Sequence, residues 1–329
     1  MLALIDGDVL AHHSCKSRWA KKAAPGMLYD SLVQMTEDKD SVTFSKQDDA
    51  DYLEQSWINF QHMLANILEE VYADDYLMAV KSDVNFRDLI YPLEFIPDVE
   101  RPVSGYKANR WKSPAKHNIF VPSIRTLACM EEIAIEAHGR EADDLLRIWA
   151  RQAEEAGDDY VIVSIDKDLK CIHGAHYNIS SHKTTYVTKH EALRFYYQQL
   201  ISGDSTDNIP GVIGLGPVKA ERLLFNTTDE EEMQEIVVQA YMSAYEDDWY
   251  NMLLSNGKLL YLQEHAEDYF MCSHWPVVKA MLEIQAAPPV IEAKVVAPTP
   301  KLQIVSPVPK VFVGGFMGSV PPLKGKNAK

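Results

Sequence analysis

The stretch "LIDGDVL", residues 4–10, decides how this chain is read. A short apolar run ends on Asp6, Gly7 and Asp8, the pattern of a buried strand whose far end delivers two carboxylates one residue apart. Two later apolar runs behave alike: residues 77–80, with Asp83 beyond them, and "YVIVSI" at 160–165, followed by Asp166 and Asp168. Between them, "WINFQHMLANILEEVY" (57–72) and "ADDLLRIWARQAEEA" (142–156) carry helical periodicity. Strands alternating with helices of this length predict an α/β fold, a mainly parallel twisted sheet with flanking helices. Ligands of such sheets bind beyond the C-terminal ends of the strands, where these aspartates fall.

With 47% hydrophobic and 24% charged residues over 329 positions, the composition is that of a globular protein and excludes a largely disordered one. Four scattered cysteines with no C-x-x-C pair exclude a disulfide scaffold or a zinc ribbon and point to a reducing, cytoplasmic setting. No apolar run approaches the ~20 residues of a membrane span. A formal net charge of −16 argues against a broadly basic nucleic-acid binder. The charge is uneven, however: from Ala287 onward six lysines face the single Glu292, a net +5 that leaves −21 for the rest.

From Gly203 the pattern turns helical, with helices expected over 218–225, 231–245 and 249–265. The expected organisation is therefore an α/β core over 1–200, a helical region over 201–286 and a Pro/Lys-rich disordered tail over 287–329. Within the tail, "KVFVGGFMGSV" (310–320) is a candidate docking segment for a partner.

Three acidic motifs accompany the strand ends. "GREADDLLRIW" puts Glu141, Asp143 and Asp144 in a first helical turn, where one carboxylate is an ordinary dipole stabiliser but three repel one another unless a cation neutralises them. In "VIVSIDKDLK", the spacing of Asp166 and Asp168 points both side chains the same way if the backbone is extended. "SGDSTDNIPG" adds Asp204 and Asp207. Together with Asp6 these form an oxygen-only set suited to magnesium or manganese. Two such ions about 4 Å apart can clamp a scissile phosphate without any protein nucleophile.

A strand followed by Asp-x-Asp also opens the haloacid-dehalogenase-like phosphatases, in which the first aspartate, here Asp6, attacks phosphorus. That family's Thr or Val is Leu10 here, and it uses no "EADD" cluster. After Asp207 comes "IPGVIGLGPVKAERLL", with Gly211, Gly214 and Gly216 ahead of an amphipathic helix bearing Lys219. Such a loop lets a backbone approach a ligand, and the helix start offers free N–H groups to a phosphate.

In order along residues 1–265, "LIDGDVL", "SDVNFR", "GYKANR", "EADDLL", "SIDKDLK" and "GDSTDNIPGVIGLG" resemble the motifs of the 5′-nuclease superfamily, which includes flap endonucleases, and look closest to the bacteriophage 5′-to-3′ exonucleases. The resemblance implies that Asp6, Glu141, Asp143, Asp144, Asp166, Asp168 and Asp207 hold two magnesium or manganese ions, with Asp204 a further candidate. It implies that the glycine loop (203–225) is a helix-three-turn-helix gripping duplex DNA and holding a potassium ion. Phage-type members carry an aspartate at the position of Ser82, so Asp83, one residue late, is the expected substitute ligand. Other implications are a DNA substrate with 5′ ends, nicks or flaps, RNA-primer removal, a role in replication or recombination, a replication-protein partner for the tail, and a host cytoplasm. A DNA-binding relative without catalysis is the remaining alternative.

In such a nuclease, Lys107 and Arg110 of "GYKANRWK" (105–112) steer the scissile phosphate and stabilise transition-state charge. Tyr106, Trp111 and Lys112 line the gateway of the 5′ strand, the aromatic rings stacking on an unpaired base. Asp8 is expected in a supporting or helix-capping role. His12 and His13, adjacent on a helix, face different ways and are expected to be structural or to stack on DNA. Ser14 and Cys15 lack a recognisable base, so covalent catalysis is not expected.

Overall fold

The first apolar run becomes β1 (Leu2–Asp6), whose Ala3 and Ile5 enter one hydrophobic core while Leu4 enters another on the opposite face. Burial on both faces explains a continuous apolar run instead of an alternating one. The computed structural model describes residues 1–15, 46–96, 101–110 and 120–286. After β1 come α1 (Gly7–Ser14), α2 (Lys46–Glu70), β2 (Asp75–Asn85), α3 (Phe86–Ile90), α4 (Phe120–Met130), β3 (Ile135–Gly139), α5 (Ala142–Ala156), β4 (Tyr160–Val163), β5 (Gly174–Asn178) and β6 (Lys183–Val187). The sheet order is β3-β2-β1-β4-β5-β6, parallel throughout except for β6, which runs antiparallel to β5. Residues of α1, α2 and α4 pack on one face with Ile5, Val80 and Val163, and α5 covers the other with Leu4 and Ile162.

β1 pairs with β2 on one side and β4 on the other, so the strand order reverses between β1 and β4. That reversal is the switch point at which parallel sheets open a crevice. Asp6 ends one strand there, and Asp166 and Asp168 follow the other.

Further on lie α6 (Lys189–Ser202), a short hairpin of β7 (Gly203–Asp204) and β8 (Ile209–Pro210), α7 (Pro217–Leu224), α8 (Glu230–Tyr245), α9 (Trp249–Leu260) and α10 (Pro276–Ala286). They enclose a second core that includes Leu224, Val237, Tyr241, Trp249 and Leu253. Tyr197, Leu200 and Ile201 of α6, and Tyr106 from far upstream, are buried in the same core, so it reaches back across position 201. Met1–Ala286 forms one compact unit.

The helix expected over 249–265 stops at Leu260, where Tyr261 turns extended. The carbonyls of Leu259 and Tyr261 there accept from Arg87, and Gln263 N–H donates to Asp144, so tertiary partners replace the last helical turn. The 287–329 tail with its candidate docking segment, and Trp111 and Lys112, lie outside the described residues. Among the described residues no helix is long and apolar enough to cross a membrane.

Candidate active site

Asp6 caps α1. One carboxylate oxygen accepts from Val9 N–H at 3.2 Å, and the other from the Ser164 hydroxyl at 2.8 Å. The capping role considered for Asp8 thus belongs to Asp6; Asp8 instead pairs with Arg125 of α4 and accepts from Lys81 N–H of β2. His12 is exposed and His13 buried, as opposite faces of one helix require.

β4 ends at Val163, so Asp166 and Asp168 do not share a face by strand alternation. They stand in a turn: Asp166 N–H donates to Ser164 Oγ (3.0 Å), Asp168 N–H donates to Asp166 Oδ1 (2.9 Å), and a 3₁₀ turn follows over Asp168–Cys171. Gln199 of α6 donates to Asp168 Oδ1 at 2.7 Å.

At the head of α5 the three carboxylates part ways. Asp144 is fully buried and its two oxygens meet the Arg87 guanidinium at 2.7 and 2.9 Å, while also accepting from Glu141 N–H and Gln263 N–H. Asp144, expected as a ligand, thus has its oxygens engaged by the arginine and by backbone and does not line the acidic cavity. Glu141 accepts from Asn85 Nδ2 (2.9 Å) and Tyr106 Oη (3.0 Å) and pairs with Lys107 Nζ. Asp83 is exposed on β2 and does not line the acidic cleft. The residues of that segment that reach the site are Asn85, which caps α3 and binds Glu141, and Arg87, so Asp83 is not brought in as the expected substitute ligand.

The basic loop folds over this group. Lys107 adopts a left-handed φ of 57°, and its N–H donates to the Asp207 carbonyl at 2.8 Å; Asn208 donates to the Gly105 carbonyl at 2.9 Å. These bonds fasten the loop to the β7–β8 hairpin. Lys107 Nζ lies 3.8 Å from Asp207, and Arg110 pairs with Asp207. Tyr106, expected to stack on a base, is 3% exposed; its hydroxyl donates to Glu141 and lies 3.3 Å from Asp207. A ring packed inside the helical core offers no face to a nucleotide. Asp204 accepts from Thr206 N–H at 2.7 Å and lies 3.8 Å from Lys167 Nζ.

The site is electrostatically two-sided. Burial alone would raise Glu141, but Arg87 and Lys107 hold its carboxyl below the usual range. Burial would lower the Lys107 ammonium, and Glu141 and Asp207 outweigh it. Across from this compensated flank, Asp6, Asp143 and Asp166 make no ion pair among the described residues. Burial, then the charges of Asp8 and Asp166, push Asp6 up to about 7, against its hydrogen bonds from Ser164 and Val9. Burial and the charges of Asp6, Glu141 and Asp166 push Asp143 well above the carboxylate range. Asp168 rises to about 7 through burial, Asp166 and Asp204.

Among the described residues no three such side chains converge as a ready-made chelate. The donor set nonetheless fits a hard divalent ion. It is all oxygen, its negative charge is uncompensated on one flank, and Glu141, Asp143, Asp168, Asp204 and Asp207 line a cavity of about 40 Å³, space for a water-sized ion. Asp143 and Asp168 line this cavity, and the charges of Asp6 and Asp166 act on Asp143 beside it.

The glycine loop divides between two tasks. A Cβ on Gly211 would meet the Ser202 and Gly203 backbone at 2.1–2.4 Å, so this glycine closes the hairpin instead of opening the loop to a ligand. Gly214, at φ +79°, and Gly216, the N-cap of α7, face open space. Lys219 Nζ donates to the Gly214 carbonyl at 2.8 Å, so the expected potassium ion would share that oxygen with an ammonium.

Sequence alone missed Asn85, Arg87, Ser164 and Gln199. Ser164 opens "SIDKDLK", and Asn85 and Arg87 lie in "SDVNFR", so their place beside carboxylate-bearing strand ends was a usable signal. Gln199 is 31 positions from its partner and left no local signal.

The fold thus sets carboxylates at the switch point of a mainly parallel sheet, with a basic loop opposite them. Residues 53–198 match the family described as 5′-3′ exonuclease, N-terminal resolvase-like domain. DNA polymerase I of Rhizobium leguminosarum is 34% identical over 141 residues, 40% of this chain and 14% of that protein. Thermostable DNA polymerase I of Thermus aquaticus is 29% identical over 162 residues, 46% of this chain and 20% of that protein. The chain thus spans a fifth or less of these relatives. Among solved structures, a bacteriophage T5 flap endonuclease with DNA and metal ions is similar with a TM-score of 0.45, 13% identity, 79% of this chain and 98% of that chain. The T5 5′-exonuclease with zinc bound gives 0.43, 14%, 79% and 99%.

Proposed function

We propose that this protein is a metal-dependent nuclease that hydrolyses phosphodiesters of DNA from 5′ ends, nicks or flaps, using magnesium or manganese. The observation that carries the reading is the apposition of Lys107 and Arg110 with a cleft whose other flank, Asp6, Asp143 and Asp166, is left uncompensated. Divalent ions held by these aspartates and Asp168 would supply an activated water and charge stabilisation at the leaving oxygen. Lys107 and Arg110 receive the phosphate, exchanging Glu141 and Asp207 for its oxygens as the strand enters. Asn85 and Tyr106 keep Glu141 aimed at the cleft, and Gln199 does the same for Asp168. Gly214, Gly216 and the start of α7 meet the duplex backbone beyond the cut.

The phosphatase alternative needs a mobile acid at Asp8; Asp8 is instead paired with Arg125 and accepts from Lys81 N–H, which counts against it. Incubating the protein with 5′-labelled blunt, nicked and flapped duplexes, with magnesium or with EDTA, tests the proposal. Magnesium-dependent release of short 5′-phosphorylated products is expected; no cleavage of any of the three by folded protein refutes it.

A further inference from the structure

Arg87, in α3, is 1% exposed and uses its guanidinium entirely inside the protein. Nη1 and Nη2 form a bidentate pair with Asp144, Nη2 also donates to the Tyr261 carbonyl at 2.6 Å, and Nε donates to the Leu259 carbonyl at 2.9 Å. Asp144 accepts in addition from Glu141 N–H at 2.9 Å and Gln263 N–H at 3.1 Å. One ion pair therefore joins the segment leaving β2, the first turn of α5 and the end of α9.

Stability does not account for such a pair, because a buried ion pair is typically replaceable by packed apolar side chains at no loss. What the fork supplies is direction. It fixes Asp144, whose oxygen holds Glu141 N–H and so the start of α5, from which Glu141 and Asp143 project. The same guanidinium fixes two carbonyls at the end of α9, which packs in the helical core beneath the glycine loop. We propose that Arg87 is a positioning residue for the acidic cleft, which it acts on through Asp144: it holds the first turn of α5, with Glu141 and Asp143, in register with the helical region. On this basis Asp144 is an anchor and not a metal ligand. The inference rests on the nuclease reading in taking the cleft to hold divalent ions.

The experiment compares wild type, Arg87→Lys and the double variant Arg87→Met with Asp144→Leu. Mn²⁺ affinity is measured without DNA from the signal of the free ion in electron paramagnetic resonance, beside thermal melting, kcat and KM on a flapped duplex. The double variant removes both charges together but leaves the Glu141 and Gln263 N–H groups and the Leu259 and Tyr261 carbonyls without their partners, so its melting temperature is expected to fall, and affinity and kcat are read at a temperature where the melt shows it folded. Its Mn²⁺ affinity and kcat are expected to fall ~10- to 100-fold, the range seen when residues that orient metal ligands are removed, with a smaller change in KM. Arg87→Lys, which cannot form the fork, is expected to lose part of both. A double variant with wild-type Mn²⁺ affinity and kcat overturns the proposal, leaving the pair a packing feature. Tighter Mn²⁺ binding by Arg87→Lys also overturns it, because a freed Asp144 would then be acting as a ligand. If the double variant does not fold, Arg87→Lys decides by the same two readouts. A wild type that binds Mn²⁺ but cuts no DNA would sink the nuclease reading while the Mn²⁺ comparison still settles the role of Arg87.

Discussion

Without metal, the cleft penalises the folded state as pH rises, and Asp6 sets the scale. Its carboxyl titrates near 7 in the fold, against 3.8 for the ordinary group, through burial and the charges of Asp8 and Asp166. A raised carboxylate means that the folded protein binds the proton more tightly than the unfolded chain, so stability falls as pH climbs from about 4 to about 7. At about 1.4 kcal/mol per unit, the full penalty above pH 7 is ~4 kcal/mol, of which roughly 3 develops between pH 5 and 8. Asp6 is 5% exposed, so water screens little of this. Asp143 is raised in part by the charge of Asp6 itself, so its contribution overlaps with that of Asp6 instead of adding to it. The assay is thermal melting in EDTA from pH 5 to 8, repeated with magnesium. Melting in EDTA is expected to drop by roughly 6 °C or more across that range, and magnesium to restore it at pH 8. Asp6→Asn keeps an acceptor for Val9 N–H and presents an amide N–H to the Ser164 hydroxyl, which can accept it, but carries no charge; it should raise the EDTA melting point at pH 8 and flatten the pH slope. A flat wild-type profile, or a magnesium effect that survives Asp6→Asn unchanged, refutes the reasoning.

Asp143→Asn, which removes an unpaired carboxylate of the cleft, should abolish cleavage while a gel-shift assay shows DNA binding retained. Lys107→Ala should lower kcat ~10²-fold or more with little change in KM, since the ammonium opposes charge that grows in the transition state; equal loss in binding and turnover would contradict that role. At the glycine loop, Gly211→Ala should cost ~3 kcal/mol or more in a denaturant melt because its Cβ would strike the Ser202–Gly203 backbone. Gly214→Ala, strained at φ +79° but facing open space, should cost about 1 kcal/mol and chiefly weaken duplex binding. The reverse ranking would reassign the two glycines.

Much of the fold could be read locally. β1 and β4 are continuous apolar runs because helices cover both faces of a parallel sheet, and α5 runs over Ala142–Ala156 as its periodicity predicts. β3 ("IEAHG") and β6 ("KTTYV") were not legible, because edge strands bury few side chains and leave little hydrophobic pattern. The end of α9 was also hidden, since periodicity continues to 265 while Arg87 and Asp144 take the backbone groups a further turn would need.

The acidic set was legible for the same reason: strand ends and helix starts are local events, and Asp6, Asp143, Asp166 and Asp168 sit at or just beyond them. Sequence therefore determined the class of fold, the edge at which the site lies and the chemistry of its donors. What only the tertiary structure decided is which charges meet. Asp144 was indistinguishable from Asp143 in "EADD" until Arg87, 57 positions away, claimed it. Likewise Tyr106 resembled a stacking platform until the helical core buried its ring and left only its hydroxyl at the site. Charge partners lie far apart in the chain, and a carboxylate's role follows from whether an arginine or a cleft stands opposite it, which no local pattern encodes.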